Sequence, residues 1–334
     1  MITLIIDVHT HFVPEDFPLM HDRVGGDKWP KMECNCGNSQ HKNIIISGKN
    51  FRTVTNQCWD PKIRANNMDK ESVDVQVLSP MPELLSYWFD AKDTLEFSRY
   101  INSKLSEFIQ VNPNRFYGLG MVPLQDPELA AKELKVLKRD YGLKGVEVGS
   151  NINGLPIGHS KFDPFFEEAE KEEMAVFIHA LHPSGSDRLV GPPVLNALIG
   201  FPNENGLAAA SLITGGTLEK FPNLKILLSH GGGGLISILP RLTHGWRRFD
   251  ELNKIIPHSP KYYAEKMYYD TLVYDKEAIH YLINNFGSKQ LMIGSDYPFS
   301  IREKHPGNWI EDIHLDLNKQ ENIKFRNANR FFDI

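Results

Sequence analysis

Short apolar runs recur along the chain, separated by longer stretches in which hydrophobic positions fall three or four residues apart. The runs are TLIIDVH (3–9), VDVQVLS (73–79), FYGLGMVP (116–123), KGVEVG (144–149), AVFIHA (175–180), LKILLSH (224–230), MYYDTLV (267–273) and QLMIGSD (290–296). Most are rich in Val, Ile, Leu or Tyr, and their near-continuous apolar character suits strands covered on both faces. The intervening segments read as amphipathic helices. Residues 93–111 put Leu95, Tyr100, Leu105 and Phe108 on or near one stripe. Residues 126–142 begin with Asp-Pro and stop at a glycine, a helix entry and a helix end. Residues 163–173 open the same way. Strands alternating with helices predict parallel βα units. Eight units in this length predict an α/β fold, a closed (β/α)₈ TIM-like barrel. An open doubly wound sheet is the alternative, but no G-x-G-x-x-G follows any run, so its dinucleotide-binding version has no support.

One region breaks the alternation. Within residues 14–60, NIIIS and NFRTV flank Gly48 and read as a β-hairpin. This predicts a small β insertion after the first strand, over one end of a single domain spanning 1–334. The last thirty-odd residues read as helices closing the chain, and no repeat or low-complexity linker is visible.

Composition narrows the class. Of 334 residues, 41% are hydrophobic, enough for a large core. The net charge of −5, without long like-charge blocks, gives no support to a nucleic-acid binder. No stretch approaches the about 20 apolar residues of a membrane helix, so no membrane partner is expected. Three cysteines, Cys34, Cys36 and Cys58, form no evident disulfide framework. With no recognisable leader in MITLII, a cytoplasmic location is expected. Cys34 and Cys36 read as incidental to the insertion.

Candidate chemistry sits where the runs end. Residues i and i+2 of a strand share a face, so His9 and His11 point together. The fifth run ends in His179, the sixth in His230 followed by four glycines, and the eighth in Asp296. The glycines read as clearing side chains so that substrate can approach the backbone. In a barrel the C-terminal strand ends form the active-site face. A lone strand-end histidine is ordinarily structural, but four histidines and an aspartate from four strands point to a metal. Such donors suit Zn²⁺ or another divalent transition ion such as Mn²⁺. An ion needing three or four ligands would leave one group free as acid or base.

These motifs, with the HxH of the first strand, HGGG and GSDYPF, resemble the amidohydrolase superfamily. GKNFRTV, CWDP, MDKESVDVQV, VPLQD, RLTHGW and RNANRFF extend the resemblance, in order, to the aminocarboxymuconate-semialdehyde decarboxylase family. The resemblance implies one Zn²⁺ per chain on His9, His11, His179 and Asp296, with a metal-activated water, and His230 as the catalytic base. It implies that Arg52 grips a substrate carboxylate and that Arg241 reaches the neighbouring subunit's site in a homodimer. A planar guanidinium binds carboxylate bidentately, which suits both roles.

The chain also departs from that family. Where the family has Pro-Trp after the fifth-strand histidine, this chain has HALHPSGSDR, which adds His182 and Arg188 and removes an aromatic. Trp88 is a candidate replacement from the loop after the second barrel strand, with core packing as its other reading. Glu147, in the fourth strand, could bridge two ions, although one metal is expected. The resulting expectation is non-oxidative decarboxylation of a carboxymuconate-semialdehyde-like acid. The alternatives are a hydroxybenzoate-type aryl decarboxylase, a metal-dependent hydrolase or hydratase of a ring-cleavage product, and a non-catalytic metal-binding barrel.

Overall fold

The computed structural model describes residues 4–35, 37–38 and 40–334, so Thr3 and Cys36 lie outside the described residues. All eight apolar runs contain barrel strands: β1 (Ile6–Phe12), β5 (Val75–Pro80), β6 (Phe116–Gly120), β7 (Gly145–Gly149), β10 (Ala175–His179), β11 (Lys225–Leu228), β12 (Tyr268–Asp270) and β13 (Leu291–Met292). They pair in parallel in that order. The last strand returns to the first. Val8 N–H donates to the Ile293 carbonyl at 2.8 Å, Asp296 N–H to His9 at 2.9 Å and His11 N–H to Tyr297 at 2.6 Å.

The insertion is larger than the predicted hairpin. β3 (His41–Ile46) and β4 (Lys49–Thr55) turn at Ser47–Gly48, and β2 (Lys31–Cys34) adds a third antiparallel strand. Its polar, half-exposed sequence hid it. Trp29 anchors this layer by stacking on Phe89 at 3.8 Å, and Ile44 and Val54 are buried beneath it. A two-stranded β8–β9 hairpin (Asn151–Ile152, Leu155–Pro156) follows β7.

The principal helices are α1 (Pro61–Glu71), α2 (Ala91–Gln110), α3 (Pro127–Arg139), α4 (Asp163–Lys171), α5 (Phe201–Thr214), α6 (Thr217–Lys220) and α7 (Leu235–Trp246). They continue with α8 (Asp250–Ile255), α9 (Pro260–Ala264), α10 (Lys276–Phe286), α11 (Leu317–Glu321) and α12 (Asn327–Phe332). Asp126 caps α3 by accepting from Leu129 N–H, with Pro127 in the first turn. The second Asp-Pro works differently, because Asp163 lies inside α4 and its carboxylate accepts from Lys220 Nζ at 2.7 Å. The stripe on α2 is also rotated from expectation. Phe97, Ile101, Leu105, Phe108 and Ile109 are buried, whereas Leu95 and Tyr100 flank the face.

Inside the barrel, Ile6, Val8, Val75, Val77, Leu119, Phe177, Leu227 and Met292 form one apolar cluster. The C-terminal Phe331 and Phe332 join it. Ile6, Val75 and Ala175 open their strands, and Ala328, Phe331 and Phe332 of α12 pack into the same cluster, so that end is filled with apolar groups. Polar side chains at the opposite strand ends are therefore the ones left free for chemistry. No helix among the described residues is long and apolar enough to cross a membrane.

Candidate metal centre and active site

A single extra residue in β1 aims the first two histidines. Ile6 and Asp7 pair with Val75 and Gln76, but Thr10 and His11 pair with Leu78 and Ser79, one position out of step. This bulge lets Ile6 and Val8 join the interior cluster while His9 and His11, of opposite parity, face the site above it. The His9 ring then rests edge-on against Phe177 at 5.1 Å, marking the boundary between the apolar fill and the polar mouth.

The strand-end residues converge. His9 Nε2 lies 3.2 Å from His11 Nε2, and Asp296 Oδ1 lies 3.1 Å from His11 Nε2 and 3.8 Å from His9 Nε2. His9, His11 and Asp296 each place one donor atom within 4.8 Å of the others, and so do His9, His179 and His230. His230 and Asp296 both hold left-handed backbone, φ 54° and 65°, unusual for residues with a side chain and typical of constrained functional positions.

Their surroundings fit a divalent ion. The Nδ1 atoms of His9, His11 and His179 face acceptors: Asp270 Oδ2 at 2.6 Å, the Pro80 carbonyl at 3.4 Å and the Ala180 carbonyl at 2.9 Å. Each Nδ1 therefore donates, which directs the Nε2 lone pair toward the centre. His179 Nε2 is buried without a hydrogen-bond partner, as an atom reserved for an ion would be. Three imidazoles and a carboxylate form a donor set suited to Zn²⁺ or Mn²⁺.

Charge is distributed unevenly over this cluster. Burial works to push His9 down, but its hydrogen bond to Asp270 and the nearby carboxylates outweigh it, holding His9 up at about 9. Burial, reinforced by neighbouring histidines, lowers His179 well below the ordinary value, and burial also lowers His11. Burial would raise Asp270 and Asp296, yet their histidine partners hold both below the usual carboxylate range. Glu147 is fully buried beside this group, and burial, only partly offset by the Ser79 hydroxyl, raises it to about 8.

The remaining predicted residues separate into two sets. Arg52, on β4, is half-buried and lies over the Phe299 ring at 4.1 Å, and that ring stacks on His11 at 5.0 Å. The insertion thus delivers Arg52 to the mouth, within the field of Asp296. Trp88 stacks on His182 at 4.7 Å, and His182 Nε2 meets Glu83 Oε1 at 3.0 Å, joining the loops after β5 and β10. Arg188 is exposed on the same loop. Arg241 is exposed on α7.

Three of the four glycines, Gly231, Gly232 and Gly233, make room for neighbouring protein rather than for substrate. A Cβ on Gly232 would stand 2.7 Å from the Tyr269 ring, and one on Gly233 would stand 1.8 Å from the Pro202 carbonyl oxygen. They let the His230 turn pack directly on β12 and α5.

Four important residues escaped the sequence reading. Asp270 ends β12, binds His9 Nδ1 and also accepts from the N–H groups of His230 at 3.0 Å and Gly231 at 2.8 Å. It ends the strand but not the apolar run, which continues through Thr271, Leu272 and Val273, unlike Asp296 at the end of its run. Arg64, fully buried on α1, donates to the His11 carbonyl at 2.5 Å and to Gln76 Oε1 at 3.3 Å while lying over Tyr297. Glu204 and Asn205, in the first turns of α5, hold the loop after β10 and the His230 ring respectively. Nothing in the residues around Arg64, Glu204 or Asn205 announced burial.

With this geometry in place, the amidohydrolase family profile matches residues 6–334, and the chain belongs to that family. Within it, the chain is a decarboxylase related to the aminocarboxymuconate-semialdehyde type. It is 37% identical over 335 residues to the 2-amino-3-carboxymuconate-6-semialdehyde decarboxylase of Dictyostelium discoideum, covering 99% of this chain and 92% of that one. It is 26% identical over 290 residues to the gamma-resorcylate decarboxylase of Polaromonas sp., covering 81% of this chain and 86% of that one. The crystal structure of 5-carboxyvanillate decarboxylase from Sphingomonas paucimobilis superposes with a TM-score of 0.74 at 26% identity. That match covers 81% of this chain and 82% of the other.

Proposed function

We propose that this protein removes CO₂, without oxidation, from a planar carboxylic acid of aromatic breakdown, a hydroxybenzoate-type aryl acid foremost. The observation that carries the reading is the convergence of His9, His11 and Asp296, with the His179 ring 5.1 Å from that of His11, beside the half-buried Arg52. These four residues would hold one Zn²⁺ or Mn²⁺. When bound, the ion supplies a Lewis acid that draws electron density from a substrate oxygen.

The other residues bind and orient. Arg52, held over the Phe299 ring at 4.1 Å, pairs with a substrate carboxylate. Trp88, held against His182, forms a flat wall at the rim. His230 acts on the substrate beside the four ligands. Arg241 completes the carboxylate site of a second copy, making the working form a homodimer. In the reaction the bond between ring carbon and carboxylate breaks, CO₂ leaves, and a proton takes its place on carbon.

The aryl-acid reading draws support from the resorcylate and carboxyvanillate decarboxylases among the relatives. A second reading, 2-amino-3-carboxymuconate 6-semialdehyde as substrate, draws support from the 37% identity to the Dictyostelium enzyme. Purified protein of measured metal content should be incubated with 2,6-dihydroxybenzoate, 5-carboxyvanillate and the carboxymuconate semialdehyde. CO₂ release and hydrolysis should be scored separately. Release from an aryl acid supports the first reading, and release from the semialdehyde alone selects the second. Hydrolysis without CO₂ release rejects both.

A further inference from the structure

We propose that His182 is a specificity-determining residue. By taking up the Glu83 carboxylate at the barrel mouth, it leaves Arg52 free for an acidic substrate. The acid comes from the decarboxylase reading, whereas the coupling among His182, Glu83 and Arg52 does not depend on it.

Two loops meet at this point. The loop after β5 carries Glu83, in the turn Pro82–Leu85, and then Trp88. The loop after β10 brings His182 against both. His182 Nε2 lies 3.0 Å from Glu83 Oε1, and the ring stacks on the Trp88 indole at 4.7 Å with 28° between their planes. A carboxylate can only accept, so Nε2 carries the hydrogen and donates. Both sides of the contact are anchored. His182 holds left-handed backbone, φ 42°, and close behind it the Ser184 N–H and hydroxyl each donate at 2.8 Å to the buried Glu204. Leu84 and Leu85, next to Glu83, are fully buried, and the Tyr87 carbonyl accepts from Asn153 at 2.8 Å.

Charge explains why this contact matters. Burial lowers Arg52, and the charges of Asp296, Cys58 and Glu83 act against that. Asp296 is engaged by His11 at 3.1 Å. Glu83 is the carboxylate that an acidic substrate would meet on its way to Arg52. Uncompensated, it would repel that acid and favour its own interaction with the guanidinium. Among the described residues, His182 is the one basic side chain within 4.0 Å of it. The hydrogen bond from Glu83 in turn raises His182, outweighing its partial burial. A half-exposed imidazole at the rim thus offsets the acid and fixes the indole beside it.

A double-mutant cycle separates charge from shape. His182→Asn removes the ring and tolerates the left-handed backbone, while Glu83→Gln removes the charge and keeps the size. The probes are 2,6-dihydroxybenzoate and resorcinol, the same ring without the carboxylate, titrated calorimetrically into Zn²⁺-loaded protein. His182→Asn should weaken 2,6-dihydroxybenzoate about tenfold more than resorcinol, and adding Glu83→Gln should recover most of that difference. Equal losses for both probes, or a loss that Glu83→Gln does not recover, would overturn the proposal and leave His182 a packing residue. A second arm needs no ligand. Phenylglyoxal attacks the neutral guanidine, so an uncompensated carboxylate nearby slows it. Modification of Arg52, followed by peptide mass spectrometry, should be slower in His182→Asn than in His182→Asn/Glu83→Gln. Equal rates would overturn the coupling. If the wild type binds no acid and releases no CO₂, the decarboxylase reading fails, and the Arg52 rates still decide the coupling.

Discussion

His9 Nδ1 donates to Asp270 Oδ2 at 2.6 Å in a fully buried pair, and the same carboxylate accepts the backbone N–H groups of His230 and Gly231. One carboxylate thereby orients a metal-facing imidazole and anchors the turn that carries His230. Asp270→Asn has a single oxygen for this work and places an N–H donor among groups that need an acceptor. The variant should bind Zn²⁺ about 10–100-fold more weakly, as read by competition with a chromophoric chelator. Unchanged affinity would mean that Asp270 serves only the turn.

His179 and His230 should respond differently to truncation. His179→Ala removes an unpartnered, inward-facing Nε2 and should yield protein depleted of metal. His230→Ala should retain close to the wild-type metal content while turnover falls by about 10²–10³-fold. Elemental analysis alongside CO₂ release separates the two outcomes. Metal-free His230→Ala protein would make His230 a ligand.

The parts that the sequence disclosed share a physical cause. Strands buried on both faces need continuous apolar runs, so the eight barrel strands were visible, and polar residues ending such runs stood out. Hence His9, His11, His179, His230 and Asp296 could be placed at one end before any coordinates. Asp270 was equally exposed to that logic but sits before Thr271 and Leu272, inside a run that continues, which masked it. The bulge in β1 was invisible because only pairing with β5 reveals the extra residue. Arg64, Glu204 and Asn205 gain their roles from partners far along the chain, such as the His11 carbonyl, Ser184 and His230. No local pattern encodes those meetings. The polyglycine turn misled for a related reason, since the space its missing side chains leave is filled by Tyr269 and Pro202.

Arg52 and Arg241 give a test of the dimer. Arg52 reaches the mouth of its own chain, whereas Arg241 is exposed on α7. Loss of an arginine paired with a desolvated carboxylate costs about 2–5 kcal/mol, so each Arg→Ala variant should lose most of its kcat/KM while keeping its metal. Mixing the two variants should restore activity, because each heterodimer would contain one site with both arginines and one with neither. Recovery toward half the wild-type rate per heterodimer is expected. No recovery after confirmed subunit exchange would assign Arg241 to its own chain's site or to none.

Glu147 should make the metal-free protein less stable as pH rises. Its carboxyl is fully buried, and burial, only partly offset by the Ser79 hydroxyl, raises it from 4.5 to about 8. Between those values the unfolded chain has released the proton while the folded chain keeps it. The folded state then binds more protons, so this group's contribution to stability falls with increasing pH across that window and levels off above about 8. Glu147→Gln removes the ionisation and keeps the shape. Near pH 4, where the carboxyl is neutral in both states, variant and wild type should have nearly equal denaturant midpoints. Near pH 8 the variant should be the more stable by an amount on the order of a few kcal/mol, since ionising a fully buried carboxyl is costly. Parallel urea titrations at several pH values on chelator-treated protein measure the difference. A variant that is less stable at high pH, or that has lost metal when loaded, would instead show Glu147 charged and in contact with an ion.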